Sequence, residues 1–514
     1  MRTIPDRSAV HLLLLLLSTF LVVGCGVAGV ELRAATATAT TKPSPIVLVS
    51  RDSSTATPLL PTATPAFPTP TATPSPTRTP APTPTAVPGS YHVRAGDTLL
   101  SIAIQHNMAL EQLLALNNMD GTELLQIDQM LTIPNGIALN LPEAFLVPDS
   151  EVVYGAAYES WNTQVFLEEQ GGYLAQYSEW ERSGAEIIDA VARKYHVSPR
   201  VLLAAIEMLS GWVSGREPHS LFPFGLEDGG PPNLNWQATW AAKKLMEGYY
   251  GQLEGRRDWV VLDNGVPARL YPGTNPGTAA VANLLAGAEP ALTFPELLQS
   301  DRFQDTYRRL FGEVEGGSVL PPDSEQPYLE LPFPEEELWY FSGGPHGGYG
   351  DGWSGWAALD FAPPVATGCW PSRYPVRAVA PGLVMHSAEG ETWVDLDGDG
   401  NFRTGWAIFI MHLAANSRVA AGAWVETGDV LGYPSCEGGI STGAHLHIAR
   451  MYNGQWMPAD GPVPFQLGDW TTQAVIGSSY DGILLNSDGR ILKACDCRSA
   501  RKNRFPEHRY PGQP

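Results

Sequence analysis

From Ala34 to Gly89 the chain is built almost wholly of Thr, Pro, Ala and Ser, as in Pro68-Thr69-Pro70-Thr71-Ala72-Thr73-Pro74-Ser75-Pro76. Such a run cannot bury a core, and its prolines lack the N–H that helices and sheets need. It reads as an extended, polyproline-like stalk. Whatever folds must therefore lie mainly after it. The remainder of the 514 residues is long enough for two to four domains and at least one large core. A formal net charge of −22, with a pI near 4.9, argues against a nucleic-acid partner. Only 17% of residues are charged, and 45 Pro with 52 Gly point to long connections and turn-rich β structure.

Ahead of the stalk, Arg2 and Arg7 precede an apolar run from Ala9 to Val23 that includes six consecutive leucines, Leu12 to Leu17. The pattern is that of an export signal, a single membrane anchor being the plainer alternative at this length. Val22-Val23-Gly24-Cys25 resembles a bacterial lipobox. The resemblance implies a signal peptide over residues 1–24, lipidation of Cys25, and anchoring of the exported chain by its lipid, with residues 25–89 as the stalk.

Residues 90–135 read as a small βααβ unit. Tyr91-His92-Val93 is a strand, and Gly96-Asp97-Thr98-Leu99 is a turn able to cap a helix carrying Ile102 and Ala103. Leu110, Leu113, Leu114 and Leu116 mark a second helix ending at Asn117-Asn118, and Leu131-Thr132-Ile133 is the closing strand. The pattern resembles a LysM domain. The resemblance implies binding of N-acetylglucosamine-containing glycans such as peptidoglycan, in a groove beside Gly96, Asp97, Thr98, Ile127 and Asp128. Asp128 stands where that family usually has glycine.

Residues 146–314 are mainly helical. Ala185 to Leu209, Trp236 to Tyr250 and Thr278 to Ala286 are apolar at helical spacing. The segment from Val197 to Trp212 is loosely similar to lysozyme-like transglycosylases, but Leu209 falls at the catalytic glutamate position. Glu207, two residues away, faces elsewhere on a helix. This predicts a helical domain without glycosidase chemistry.

The β-rich remainder carries Gly343-Gly344-Pro345-His346 and, with thirteen residues intervening, Asp360. Ala378, Gly382 and Val384 follow, then His412-Leu413, Gly428-Asp429-Val430-Leu431-Gly432 and Ser441-Thr442-Gly443-Ala444-His445-Leu446-His447. Alternation along a strand puts His445 and His447 on one face, and likewise predicts Ile408, Ile410 and His412 on one face of theirs. In this order the residues resemble the lysostaphin-type (LytM-like) zinc endopeptidases. The long His346–Asp360 spacing points to the beta-lytic branch. The resemblance implies an all-β domain of antiparallel sheets over residues 327–468, followed by a C-terminal extension, 469–514. It implies one zinc per chain held by His346, Asp360 and His447, an open fourth position, and His412 and His445 as non-ligand catalytic histidines.

Two further clusters stand out. Asp395, Asp397 and Asp399 space like the start of a calcium loop, but no Glu follows at position twelve, and an acidic hairpin turn is the plainer reading. Besides Cys25, four cysteines remain, and export permits disulfides. Cys369 with Cys436 would brace the loop before the His-x-His strand. Cys495 and Cys497, two apart, read as a partner site or two free thiols, a zinc site being the weaker alternative for want of another ligand pair nearby.

Overall the expectation is a multidomain, monomeric, lipid-anchored envelope protein that binds peptidoglycan glycan and cuts its peptides. A non-catalytic LytM-like scaffold is the alternative.

Overall fold

The computed structural model describes parts of residues 89–133 and, apart from a few positions, residues 139–505. The expected signal peptide and stalk, with Cys25, lie outside the described residues. So do Gly96, Asp97, Ile127 and Asp128 of the expected glycan groove, and the tail beyond Phe505. Among the described residues no helix is long and apolar enough to cross a membrane.

In the first unit, strand β1 (Gly89–His92) pairs antiparallel with β2 (Met130–Ile133), Tyr91 opposite Leu131. Helix α1 (Leu110–Asn117) packs against them through Leu113, which shares a small core with Ile102 and Ala103. Asn117 ties the helix end to the sheet. Its Nδ2 donates to the Leu113 and Thr132 carbonyls, and its Oδ1 accepts from Thr132 N at 2.6 Å.

The helical region follows. The predicted Ala185–Leu209 helix is two helices, α2 (Gly184–Tyr195) and α3 (Pro199–Ser210). Ser183 and Glu186 form a capping box at the start of α2. His196, in the left-handed region at φ 53°, ends it, and Ser198 caps a new helix whose first residue is Pro199. Helices α4 (Leu234–Leu253) and α5 (Pro276–Ala288) pack together, and α6 (Arg302–Phe311) lies against α3. Three short strands, Leu139–Asn140, Trp259–Val261 and Pro267–Arg269, add a small sheet that periodicity did not signal.

The β region is built on one antiparallel sheet. Its strands are β3 (Trp339–His346), β4 (Ala358–Ala362), β5 (Gly382–Ala388), β6 (Glu391–Asp395), β7 (Trp406–Met411), β8 (Trp424–Val425) and β9 (Leu446–Tyr452). The order across the sheet is β8-β5-β6-β7-β9-β4-β3. The stretch expected as an extension is part of this fold. Strands β10 (Trp470–Val475), β11 (Ser478–Leu485) and β12 (Ile491–Lys493) make a second sheet, and β11 packs on β3. Strand β13 (Arg504–Phe505) pairs with Trp339 and Tyr340 at the main sheet's edge. Trp470, Leu484, Leu492 and Phe505 complete the core on one face of the main sheet, so the boundary expected at residue 468 is corrected. Short β strands with polar linkers carry little signal of the partner they join.

The other face of the sheet is covered by the helical region. Trp353, Trp393, Phe409, Met451 and Trp456 share one core with Tyr195, Tyr249 and Tyr250. Tyr249 Oη donates to Gln455 Oε1 at 2.6 Å, and Tyr250 Oη accepts from Trp456 N at 2.9 Å. Two regions that composition separates are therefore one packed body.

Candidate metal centre

Three neighbouring strands converge on one point. Register sets His447 on β9 opposite Asp360 on β4, and opposite Met411 on β7. The third residue, His346, ends β3 after two register shifts that bend the strand towards Asp360. The preceding glycines permit this approach. A Cβ on Gly343 would lie 2.7 Å from Asp360 Oδ2, and one on Gly344 would lie 2.6 Å from the Asp481 backbone.

His346, Asp360 and His447 are buried, with ligand atoms all within 4.8 Å of one another. Backbone carbonyls fix the rings. His346 Nδ1 lies 2.8 Å from Gly344 O, and His447 Nε2 lies 2.7 Å from Gly348 O. Each carbonyl needs a donor, so each ring keeps its proton on that nitrogen. The remaining nitrogens, His346 Nε2 and His447 Nδ1, then present lone pairs to each other at 3.1 Å. Asp360 Oδ1 sits 3.3 and 3.2 Å from them and receives no hydrogen bond. Three buried lone-pair donors that point at one another repel unless a cation lies between them. The donor set of two imidazoles and one carboxylate fits a divalent metal with a position left open.

Electrostatics agree with this. Burial would raise the Asp360 carboxyl, but the imidazoles of His346, His445 and His447 beside it hold it well below its usual range. Burial lowers His447, keeping it in the neutral form a metal needs.

Both non-ligand histidines are adjacent. The His412 and His445 rings are 4.5 Å apart, and His412 is 6.0 Å from the His447 ring. His412 does not share a face with Ile408 and Ile410, which point into the opposite core. The strand ends at Met411, and His412 takes φ 71°, which swings its ring over to the His447 side. His412 Nδ1 lies 2.8 Å from Glu437 O, and His445 Nδ1 lies 2.8 Å from Gly443 O. Both rings therefore keep their protons on Nδ1 and turn Nε2 to the site. Burial first, and then His445 and His447, lower His412 to about 3, so it is neutral at physiological pH.

The long His346–Asp360 loop is a folded unit. Ser354 Oγ accepts from Tyr349 N and Gly350 N and donates to Gly350 O. Trp353 packs edge-on against Tyr195 of α2 at 4.7 Å, and Trp356 N donates to Glu254 just beyond α4. The Cys369–Cys436 disulfide is formed, beside Glu437. Cys495 and Cys497 are joined to each other and are not free thiols.

One site neighbour had no sequence signal. Tyr480 of β11 stacks on His346 at 4.1 Å, from the stretch expected to be an extension. Glu207 lies away from the centre. Hydrogen bonds from Val213 N and Ser214 N and an ion pair with Arg309 hold it, and although burial alone would raise it, Ser214 and Arg309 keep it below its usual range. A carboxylate so anchored joins α3 to α6. Thr98 is described, and its carbonyl accepts from Ile102 N at the helix start; the other four groove residues lie outside the described chain.

Comparison with known proteins finds two family models that match parts of the chain. Residues 145–322 match the family model described as LasA, N-terminal domain, and residues 91–134 match the LysM domain. The chain is 25% identical to Protease LasA of Pseudomonas aeruginosa over 351 residues, which are 63% of this chain and 78% of that protein. It is 36% identical over 86 residues to outer membrane antigenic lipoprotein B of Histophilus somni, covering 16% and 24% of the two chains. Among solved structures, the deep-sea metalloprotease pseudoalterin is 24% identical, covers 32% of this chain and 94% of its own, and superposes with a TM-score of 0.26. The resemblance to a LytM-like metallopeptidase carrying a LysM domain stands.

Proposed function

We propose that the protein is a zinc-dependent endopeptidase of peptidoglycan stem peptides or cross-bridges, exported and lipid-anchored through Cys25 and brought to the wall by its LysM domain. The observation that carries this reading is the convergence of His346 Nε2, His447 Nδ1 and Asp360 Oδ1, three lone-pair donors with no proton between them. When bound, zinc would polarise the scissile carbonyl and bring the attacking water within reach of deprotonation near neutral pH.

The protein's own groups supply the rest. His412, neutral and with Nε2 turned inward, accepts the water proton and later delivers it to the leaving amine. His445, with Nε2 3.7 Å from Asp360 Oδ1, supports the oxyanion of the tetrahedral intermediate as an imidazolium, its Nε2–H donating to that oxygen. A lipid anchor, a stalk and a glycan-binding unit would hold this site near its substrate, raising effective concentration without new contacts at the scissile bond.

The test uses the whole chain. Purified protein is expected to hold about one zinc and to release muropeptides from peptidoglycan in a chelator-sensitive way, with His447→Ala inert and depleted of metal. A folded, zinc-free, inactive wild type would overturn the enzymatic reading in favour of a wall-binding scaffold.

A further inference from the structure

A second cluster of acidic side chains lies on the β6–β7 hairpin, away from the centre just described. Strand β6 ends at Asp395, and Asp397 and Asp399 follow in a loop where Gly398 and Gly400 take φ 79° and 80°. The three carboxylates lie with ligand atoms within 4.8 Å of one another. Clusters of this kind are common at exposed turns and by themselves indicate nothing.

A second observation concerns Asp395. It has no exposed surface, unlike Asp397 and Asp399. Its Oδ2 accepts from Gly400 N at 2.7 Å, but its Oδ1 receives no hydrogen bond. A buried carboxylate oxygen without a donor is costly, more so when charged. Here two further carboxylates stand beside it. The same signature, a buried aspartate Oδ1 with no donor among other ligand atoms, marks Asp360 at the metal centre.

The loop also has a structural task. Asn401 Nδ2 donates to Glu159 of the helical region at 2.8 Å. Arg403, held by Asn401 Oδ1 at 2.9 Å, lies over the Tyr154 ring and donates to Tyr158 O at 3.3 Å. The hairpin is thus a strut between the sheet and the helices.

We propose that Asp395, Asp397 and Asp399 bind a divalent cation, calcium, which locks this strut. The donors are all hard oxygens, with no nitrogen or sulfur in the group, and an irregular loop suits calcium's tolerant geometry better than magnesium's strict octahedron. Gly400 N and Thr404 Oγ1 orient two of the carboxylates by donating to Asp395 Oδ2 and Asp399 Oδ2.

The test uses the full chain with its first metal centre intact. Calcium alone is titrated by calorimetry, with thermal unfolding as a second readout. Terbium is titrated separately and read by luminescence sensitised through Trp424, whose ring packs over Gly398. Expected are binding with a Kd of about 0.1–1 mM, a rise in Tm with calcium, and terbium emission that calcium competes away. Asp397→Asn and Asp399→Asn, both at exposed positions and so expected to fold, should each weaken binding at least tenfold. Asp360→Asn should leave it unchanged. Absence of heat and of terbium emission at ~10 mM cation, well above that range, would overturn the proposal. So would calcium binding that Asp397→Asn and Asp399→Asn leave unaltered, or that Asp360→Asn abolishes.

Discussion

At the scale of single residues, backbone carbonyls do as much for the candidate centre as its ligands. Gly344, Gly348, Glu437 and Gly443 each hold one imidazole in one tautomer. That divides the four histidines into two with inward lone pairs for a metal and two with inward Nε2 for proton transfer. His412→Gln should therefore keep zinc while lowering kcat by roughly 10²–10⁴, the range for a general base; zinc content and turnover measured on one preparation separate the two effects. Another residue-scale prediction concerns His196, which is buried among Trp393, Phe402 and Trp456. Burial lowers it from 6.5 to about 3. The unfolded chain takes up this proton below pH 6.5 and the folded chain does not, so stability is full above that pH and falls as pH drops towards 3. The slope is about 1.4 kcal/mol per pH unit, or roughly 2 kcal/mol between pH 6.5 and 5. His196→Asn, which tolerates the left-handed backbone, should flatten this part of the curve in denaturant titrations at a series of pH values.

At the scale of elements, His346, Asp360 and His447 were legible as a set because each sits in a short motif of its own. The turn at His412 was not. Alternation along β7 predicts the wrong face, since it assumes an extended backbone up to the histidine, and only the left-handed φ reverses it. The loop that carries Glu437 is tied down by Cys369–Cys436, which closes 67 residues of chain. Replacing both cysteines by serine should cost about 2–4 kcal/mol of stability. It should also lower activity more than zinc content, because Glu437 O is the partner of His412 Nδ1. Denaturant midpoints, with turnover and metal measured beside them, would show whether the loss is general or confined to His412.

At the scale of the whole molecule, the helical region and the sheet share a core, so the helical region supports the peptidase fold. The face of the sheet bearing His447 continues into Ala449 and Met451, and that apolar continuation lies under the helices. A chain shortened to begin at residue 327 would expose Trp393, Phe409 and Trp456 and lose the Glu254 contact that holds the His346–Asp360 loop. Each uncovered aromatic forfeits about 1.5–3 kcal/mol of burial. The shortened chain is expected to aggregate or melt well below the full protein in differential scanning calorimetry, and equal melting points would refute this.

Sequence alone determined the parts whose chemistry is local. The expectation of a stalk follows from composition, since Thr and Pro cannot bury a core. The helical stretches follow from periodicity, and the candidate metal ligands from motifs in which residue type and spacing suffice. Tertiary structure decided what depends on which chain segments meet. It carried residues 470–505 into the peptidase fold, paired Cys495 with Cys497, brought Tyr480 onto His346, turned His412 to the metal face and buried Asp395 without a donor. Apart from the Cys495–Cys497 pair and the His412 backbone turn, which are local, the physical reason is shared. Burial and strand pairing across long sequence separations are set by the partner surface, and a partner leaves no periodicity in the segment it covers.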